Sequence, residues 1–122
     1  MNYWSKWLDF WLQKLKPLIP TYLKNGDQLL DKVSTLHIPS SALLAVTDAN
    51  AMYNNIDTGH AIQVITWWLN DIHEREMLPP GYLRNAVISA MVTIMKNNIF
   101  EFGDLYFLQL LGTAMGTSAA VM

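Results

Sequence analysis

Apolar residues recur every three to four positions in four segments of the chain. This spacing predicts amphipathic helices over residues 2–18, 27–36, 61–72 and 82–97. Pro17 and Pro20 end the first helix, because proline cannot continue one. Asp57 or Thr58 is expected to cap the third helix, since a side-chain oxygen there can accept a hydrogen bond from the first turn.

Short apolar runs bounded by turn formers predict strands. Residues 42–47, with the sequence ALLAVT, are predicted to form a buried strand that ends at Asp48. Residues 99–102 and 105–108 are predicted to pair as a hairpin, because Gly103-Asp104 suits a tight type II′ turn. These elements predict a single-domain α+β fold in which helices pack on a small antiparallel sheet.

The apolar stripes also predict which residues are buried. In the second helix, Leu29, Leu30 and Val33 are expected to point inward. The strand 42–47 is expected to pack against the third and fourth helices. That packing would bury Ile65, Trp68, Leu69, Val87, Met91 and Ile94.

Composition and charge narrow the classes of partner. The chain is 52% hydrophobic and 15% charged, with a formal net charge of −2. A nucleic-acid binder normally presents a basic surface, so this chain by itself is expected to bind nucleic acid weakly or not at all. The apolar excess predicts a partner or self-association. With no signal peptide or transmembrane run, an intracellular location, cytoplasmic or nuclear, is expected.

Asp48 is the first candidate for chemistry. A carboxylate at the end of a buried strand can hold a divalent cation such as Mg²⁺, and nucleotidyl transfer commonly uses two such ions. Tyr53, five residues later, could line the same cleft. A lone Asp after a strand is more often a helix cap or turn former, and that alternative stays open.

Three sequence blocks in order carry a resemblance to a known family. They are VTDANAMYNNI at 46–56, NNIFEFGDLYFLQ at 97–109 and GTAMGT at 112–117. Together they resemble the reverse transcriptases of Penelope-like retroelements and their relatives, with polymerase motif A first and motif B last. The resemblance implies that residues 1–41 connect fingers to palm and that residues 42–122 run from palm motif A to the start of motif B.

The resemblance also implies roles for individual residues. Asp48 matches the first metal ligand, and Tyr53 matches the steric gate that favours deoxynucleotides. Met115 and Gly116 match the motif B turn, while Thr113 and Thr117 match contacts to phosphate or base. The complete parent enzyme would be an RNA-directed DNA polymerase that uses Mg²⁺, an RNA template, a DNA primer and dNTPs.

Motif C, with its paired aspartates, lies beyond Met122 in the family. We therefore expect a fragment, inactive by itself, and the uncapped apolar run at Met122 suggests a cut. Two other functions stay open. One is a non-catalytic protein-interaction module; the other is a peripheral membrane protein anchored by a Trp-rich first helix, with Trp4, Trp7 and Trp11 beside Lys6 and Lys14.

Overall fold

A computed structural model describes residues 3–113 of the chain. Over this range the chain forms five α-helices and a two-stranded antiparallel sheet, which confirms the α+β class. The elements in chain order are α1 (Tyr3–Gln13), α2 (Gly26–Ser34), α3 (Met52–Asn55), α4 (Thr58–Glu74), α5 (Arg84–Lys96), β1 (Ile99–Phe102) and β2 (Leu105–Leu108). A 3₁₀ turn, Lys16–Leu18, follows α1 and includes the proline that ends it.

The core lies between α1, α4 and α5. Its fully buried members are Leu8, Leu12, Leu15, Leu69, Val87 and Met91. The predicted stripes of α4 and α5 are confirmed, because Ile65, Trp68 and Ile94 pack around these buried side chains. Leu8, Leu12 and Leu15 join residues 3–15 to α5.

Helix starts follow local capping signals. The Asp57 carboxylate accepts the N–H of His60 at 2.7 Å, which confirms Asp57 as the cap of α4. The Asn25 side chain does the same for α2, accepting the N–H of Gln28 at 3.0 Å. Both caps satisfy backbone donors that a helix leaves free in its first turn.

The hairpin is confirmed in register and in turn. β1 and β2 pair antiparallel, with Phe100 opposite Phe107 and Phe102 opposite Leu105. Gly103 has φ +63° and no positive φ occurs at Asp104, the pattern of a type II′ turn. The rings of Phe100 and Phe107 stack with centroids 5.5 Å apart. Every residue of both strands is exposed.

The predicted strand at residues 42–47 is wrong. This stretch has no regular secondary structure, and Leu43, Leu44 and Val46 are 96%, 95% and 87% exposed. A strand exists only when a neighbour satisfies its backbone groups, and the sheet described over residues 3–113 pairs β1 with β2 alone. The expected packing of this stretch against α4 and α5 is wrong for the same reason.

The predicted inward face of α2 is also wrong. Leu29, Leu30 and Val33 are 47%, 68% and 40% exposed, and α2 contains no buried residue. An apolar stripe shows which face a helix can bury, but burial also needs a second element to cover that face.

Candidate functional site

Asp48 lies in the exposed irregular stretch before α3. Its Oδ1 accepts the N–H of the next residue, Ala49, at 2.8 Å. That short-range bond is typical of an aspartate that shapes a turn. Among residues 3–113, no three His, Asp or Glu side chains cluster as metal ligands would. The described side chains therefore do not fit the carboxylate set that a two-ion Mg²⁺ site needs.

Tyr53 and Thr113, two of the predicted site residues, are held together by their backbones. The N–H of Thr113 donates to the carbonyl of Tyr53 at 2.8 Å, and the N–H of Gly112 donates to the carbonyl of Ile56 at 2.8 Å. The Thr58 hydroxyl donates to the carbonyl of Gly112 at 3.3 Å. We call these five residues the glycine junction.

The junction requires a glycine at position 112. Gly112 is buried and has φ +82°, a backbone conformation that residues with a side chain rarely adopt. A Cβ added there would lie 2.4 Å from the carbonyl oxygen of Tyr53 and 3.0 Å from Cα of Asn54. Two backbone segments more than fifty residues apart in sequence therefore touch at a point where no side chain fits.

The segments on both sides of the junction are shaped by local bonds. On one side, Gln109 donates its N–H to the carbonyl of Asn98 at 2.8 Å, extending the hairpin ladder by one pair. The Gln109 side chain also donates to the carbonyl of Leu111 at 2.9 Å. On the other side, Ala51 has φ +48° and starts the single turn of α3, which carries Tyr53.

Among the predicted site residues that the structure describes, Asp48 does not join this arrangement. No hydrogen bond links Asp48 to Tyr53 or Thr113 within the described part of the chain. Met115, Gly116 and Thr117 lie outside the described residues. The sequence blocks predict that the loop 112–116 approaches the side of the fold that carries Tyr53, and Gly112 does lie against Tyr53. No role in this contact is predicted for Ile56 or Thr58. The sequence feature that points to Gly112 as a contact residue is its position between the apolar pair Leu110-Leu111 and the predicted site residue Thr113.

A second polar feature lies at the edge of the core. The hydroxyl of Tyr82 and Nε1 of Trp11 are both buried and have no hydrogen-bond partner among residues 3–113. Their rings meet edge to face, with centroids 5.3 Å apart. Burial disfavours the charged phenolate and raises the pKa of Tyr82 to about 12. The phenol is therefore neutral at physiological pH and unsuited to act as a base.

An open groove of about 620 Å³ lies between the 3₁₀ turn and α2. Lys24, Lys32, Asp27 and Asp31 line it, so charges of both signs face the same space. Neither Asp48, Tyr53 nor Thr113, the predicted site residues within the described range, lines this groove. It is separate from the glycine junction.

Comparisons with known proteins supply no relative for this chain. No protein-family model matches it, and no curated protein or solved structure is significantly similar to it. The resemblance to reverse transcriptases thus rests on the sequence blocks themselves and stays a prediction. Among residues 3–113, the helices are too short or too polar to cross a bilayer.

Proposed function

We propose that the chain is the motif A to motif B portion of a retroelement reverse transcriptase. The single observation that carries this proposal is the glycine junction. The resemblance assigns Tyr53 to motif A and Thr113 to motif B, and the two blocks meet through backbone bonds of 2.8 Å. Blocks that serve one nucleotide pocket have to be adjacent in space, however far apart they lie in sequence.

In this proposal the junction forms one wall of the nucleotide pocket. Tyr53 belongs to the one-turn helix α3, and its carbonyl accepts the N–H of Thr113. The carbonyl of Ile56, directly after that helix, accepts the N–H of Gly112, so main-chain contacts set the position of Tyr53. A ring that rejects a ribose 2′-hydroxyl must be held firmly, because discrimination falls when the wall can yield. The close approach of the Gly112 backbone restricts the movement of the Tyr53 backbone.

Asp48 has a limited role in this proposal. It is the first Mg²⁺ ligand of the parent enzyme, and its carboxylate is exposed and free of ion pairs in the described residues. One carboxylate cannot hold two ions for in-line transfer. The chain by itself is therefore a nucleotide-contacting fragment that does not catalyse DNA synthesis.

The proposal is tested by nuclear magnetic resonance of the isotope-labelled chain. A deoxynucleoside triphosphate with Mg²⁺ should shift the amide resonances of Tyr53, Ile56, Gly112 and Thr113 at millimolar concentration. The ribonucleotide should shift them less, and Tyr53→Ala should remove the difference. Tyr106→Ala is the matched control, because that ring is 73% exposed on the hairpin, away from the junction.

Two results would count against the proposal. One is the absence of any shift at the junction with either nucleotide. The other is a shift that Tyr53→Ala and Tyr106→Ala alter equally. The genomic sequence after the Met122 codon gives an independent test, since an in-frame or frameshifted Asp-Asp hairpin is expected there.

A second candidate, a protein-interaction module, is favoured by the irregular stretch between α2 and α3. Leu36, Ile38, Leu43, Leu44 and Val46 are between 59% and 96% exposed in this stretch. Contiguous exposed apolar residues mark interaction surfaces. A photoreactive residue at position 43 should then form one defined protein adduct in cells, and the same residue at position 63 on α4 should not.

A further inference from the structure

The exposed side of α1 combines aromatic rings with lysines. Tyr3, Trp4 and Phe10 are 86%, 66% and 56% exposed. Tyr3, Trp7, Phe10 and Lys14 follow one another at steps of three to four residues, so they share one stripe. We call Tyr3, Trp4, Lys6, Trp7, Phe10 and Lys14 the aromatic face.

The opposite stripe of α1 fixes how this face is presented. Leu8 and Leu12 of α1, and Leu15 in the turn that follows it, are at most 2% exposed and lie in the core with α5. Because that stripe is anchored, α1 cannot turn its aromatic side inward without breaking the core. The helix therefore lies along the surface with Tyr3, Trp4 and Phe10 exposed, while Trp7 is partly buried at the edge of the core.

Charge around α1 differs from charge over the rest of the chain. Residues 3–18 hold three lysines, Lys6, Lys14 and Lys16, and one acid, Asp9. Asp9 accepts a hydrogen bond from Gln13 at 2.9 Å on the polar side of the helix, away from the aromatic stripe. The remaining residues hold more acids than bases, so this end of the protein is locally positive within an acidic chain.

The rings and the lysines are coupled. The Lys14 ammonium lies 4.4 Å from the ring centroid of Phe10 and 4.4 Å from that of Trp11. A cation held beside exposed rings places positive charge at the boundary between an apolar layer and water. Tryptophan and lysine prefer that boundary, the first for its amphipathic ring and the second for anionic headgroups.

We propose that the aromatic face of α1 docks in plane on a bilayer that contains anionic phospholipid. A single-stranded nucleic acid fits the face less well, because bases stack on ring faces that lie open and parallel. Here Trp4, Trp7 and Trp11 meet edge to face, at 74° and 61°, and form no such platform. This proposal is independent of the reverse-transcriptase assignment.

The experiment uses the full chain with two kinds of vesicle, phosphatidylcholine alone and phosphatidylcholine with about 30% phosphatidylserine. Binding is measured by co-sedimentation and by the blue shift of tryptophan fluorescence. Vesicles with phosphatidylserine should bind the chain more tightly, and added salt should weaken that binding. The double variant K6Q/K14Q should lose roughly 25-fold in affinity for these vesicles, since each lysine contributes about fivefold.

The double variant W4A/F10A should lose on the order of tenfold or more, because it removes apolar area that enters the interface. Trp67→Ala is the matched control: Trp67 is 66% exposed on α4, the same fraction as Trp4, and its loss should leave vesicle binding unchanged. Circular dichroism establishes that each variant keeps its helices. Equal affinity of the parent chain and W4A/F10A, no binding to either vesicle, or tighter binding to a single-stranded oligonucleotide would overturn the proposal.

Discussion

Gly112 shows how one residue controls a long-range contact. Two features exclude a side chain there: its positive φ, and the Tyr53 carbonyl oxygen, which would lie 2.4 Å from an added Cβ. At the other end of the chain, the position of Gly26 in the first turn of α2 has open space, with nothing within 4 Å of an added Cβ. The two glycines therefore form a matched pair.

We expect Gly112→Ala to open the glycine junction. The left-handed backbone costs a residue with a side chain about 1–2 kcal/mol, and the clash adds to that. The amides of residues 112 and 113 should exchange hydrogen at least tenfold faster than in the parent chain. Gly26→Ala should leave those rates unchanged and alter the free energy of unfolding by less than about 1 kcal/mol. Equal exchange in both variants would contradict the close approach at Gly112.

Tyr82 provides a pH-dependent prediction. Burial raises the pKa of Tyr82 to about 12, from 10.0. Since the folded-state pKa is the higher one, the folded state holds the phenolic proton more tightly than the unfolded state. The protonated Tyr82 phenol therefore makes its full contribution to the free energy of unfolding below pH 10, and this contribution is lost as the pH rises towards 12. In denaturant titrations between pH 9 and 12, Tyr82→Phe should therefore lose less stability with rising pH than the parent chain.

The same variant tests the buried hydroxyl of Tyr82, which has no hydrogen-bond partner among residues 3–113. Replacing an unsatisfied buried hydroxyl by hydrogen leaves no polar atom to desolvate, so Tyr82→Phe should be neutral or stabilising below pH 10. Tyr106→Phe is the control, because Tyr106 is 73% exposed and its hydroxyl is not buried. A marked destabilisation by Tyr82→Phe below pH 10 would mean that the hydroxyl has a partner.

At the scale of elements, α2 and α4 begin in the same way and differ in what they bury. Asp57 and Asn25 each cap a helix through a side-chain oxygen. α4 contributes Leu69 and Ile72 to the buried interior, while α2 contains no buried residue. Helices of this length are stabilised mainly by the packing of their apolar face.

We expect the two caps to affect stability differently. Asp57→Ala should lower the global free energy of unfolding by about 1 kcal/mol, because α4 is part of the core. Asn25→Ala should fray α2 locally. It should lower the global free energy of unfolding by less than half of the loss expected for Asp57→Ala. Circular dichroism and denaturant titration measure both effects. Equal global losses would show that α2 unfolds together with the core.

At the scale of the whole molecule, the hairpin is the most exposed regular element. Over residues 3–113 each strand pairs only with the other, so each has an unpaired edge, and an isolated two-stranded hairpin is marginal in water. We expect the chain to self-associate at micromolar concentration in sedimentation experiments. Phe102→Lys should shift the distribution towards monomer, and Gln63→Lys, at an exposed polar position of α4, should not. A monodisperse parent chain would contradict this prediction.

Catalysis is a property of a complete site. Among the described residues, no group of three or more His, Asp or Glu side chains could hold a metal ion. We expect no extension of a primed RNA template with Mg²⁺ or Mn²⁺ above the background of an Asp48→Ala control. Reproducible extension that disappears in that control would show that the chain holds a working site.

Most of the local structure was predictable because its causes are local. The stripe through Leu69 in α4 and the stripe through Val87 and Met91 in α5 depend on helical periodicity. The cap at Asp57 and the Gly103 turn depend on the conformations and hydrogen bonds of a few adjacent residues. For the candidate site, the sequence blocks singled out Tyr53 and Thr113 as well as Asp48.

Tertiary structure decided what these elements pack against. Residues 42–47 have the composition of a buried strand, yet without a neighbouring strand they stay irregular and exposed. Composition sets how favourable burial is, while the covering surface comes from distant parts of the chain. Leu8 and Leu12 of α1 pack against such a surface on α5, whereas no residue of α2 is buried. The contact of Gly112 with Tyr53 is of the same kind, because only the folded chain brings two backbones that close.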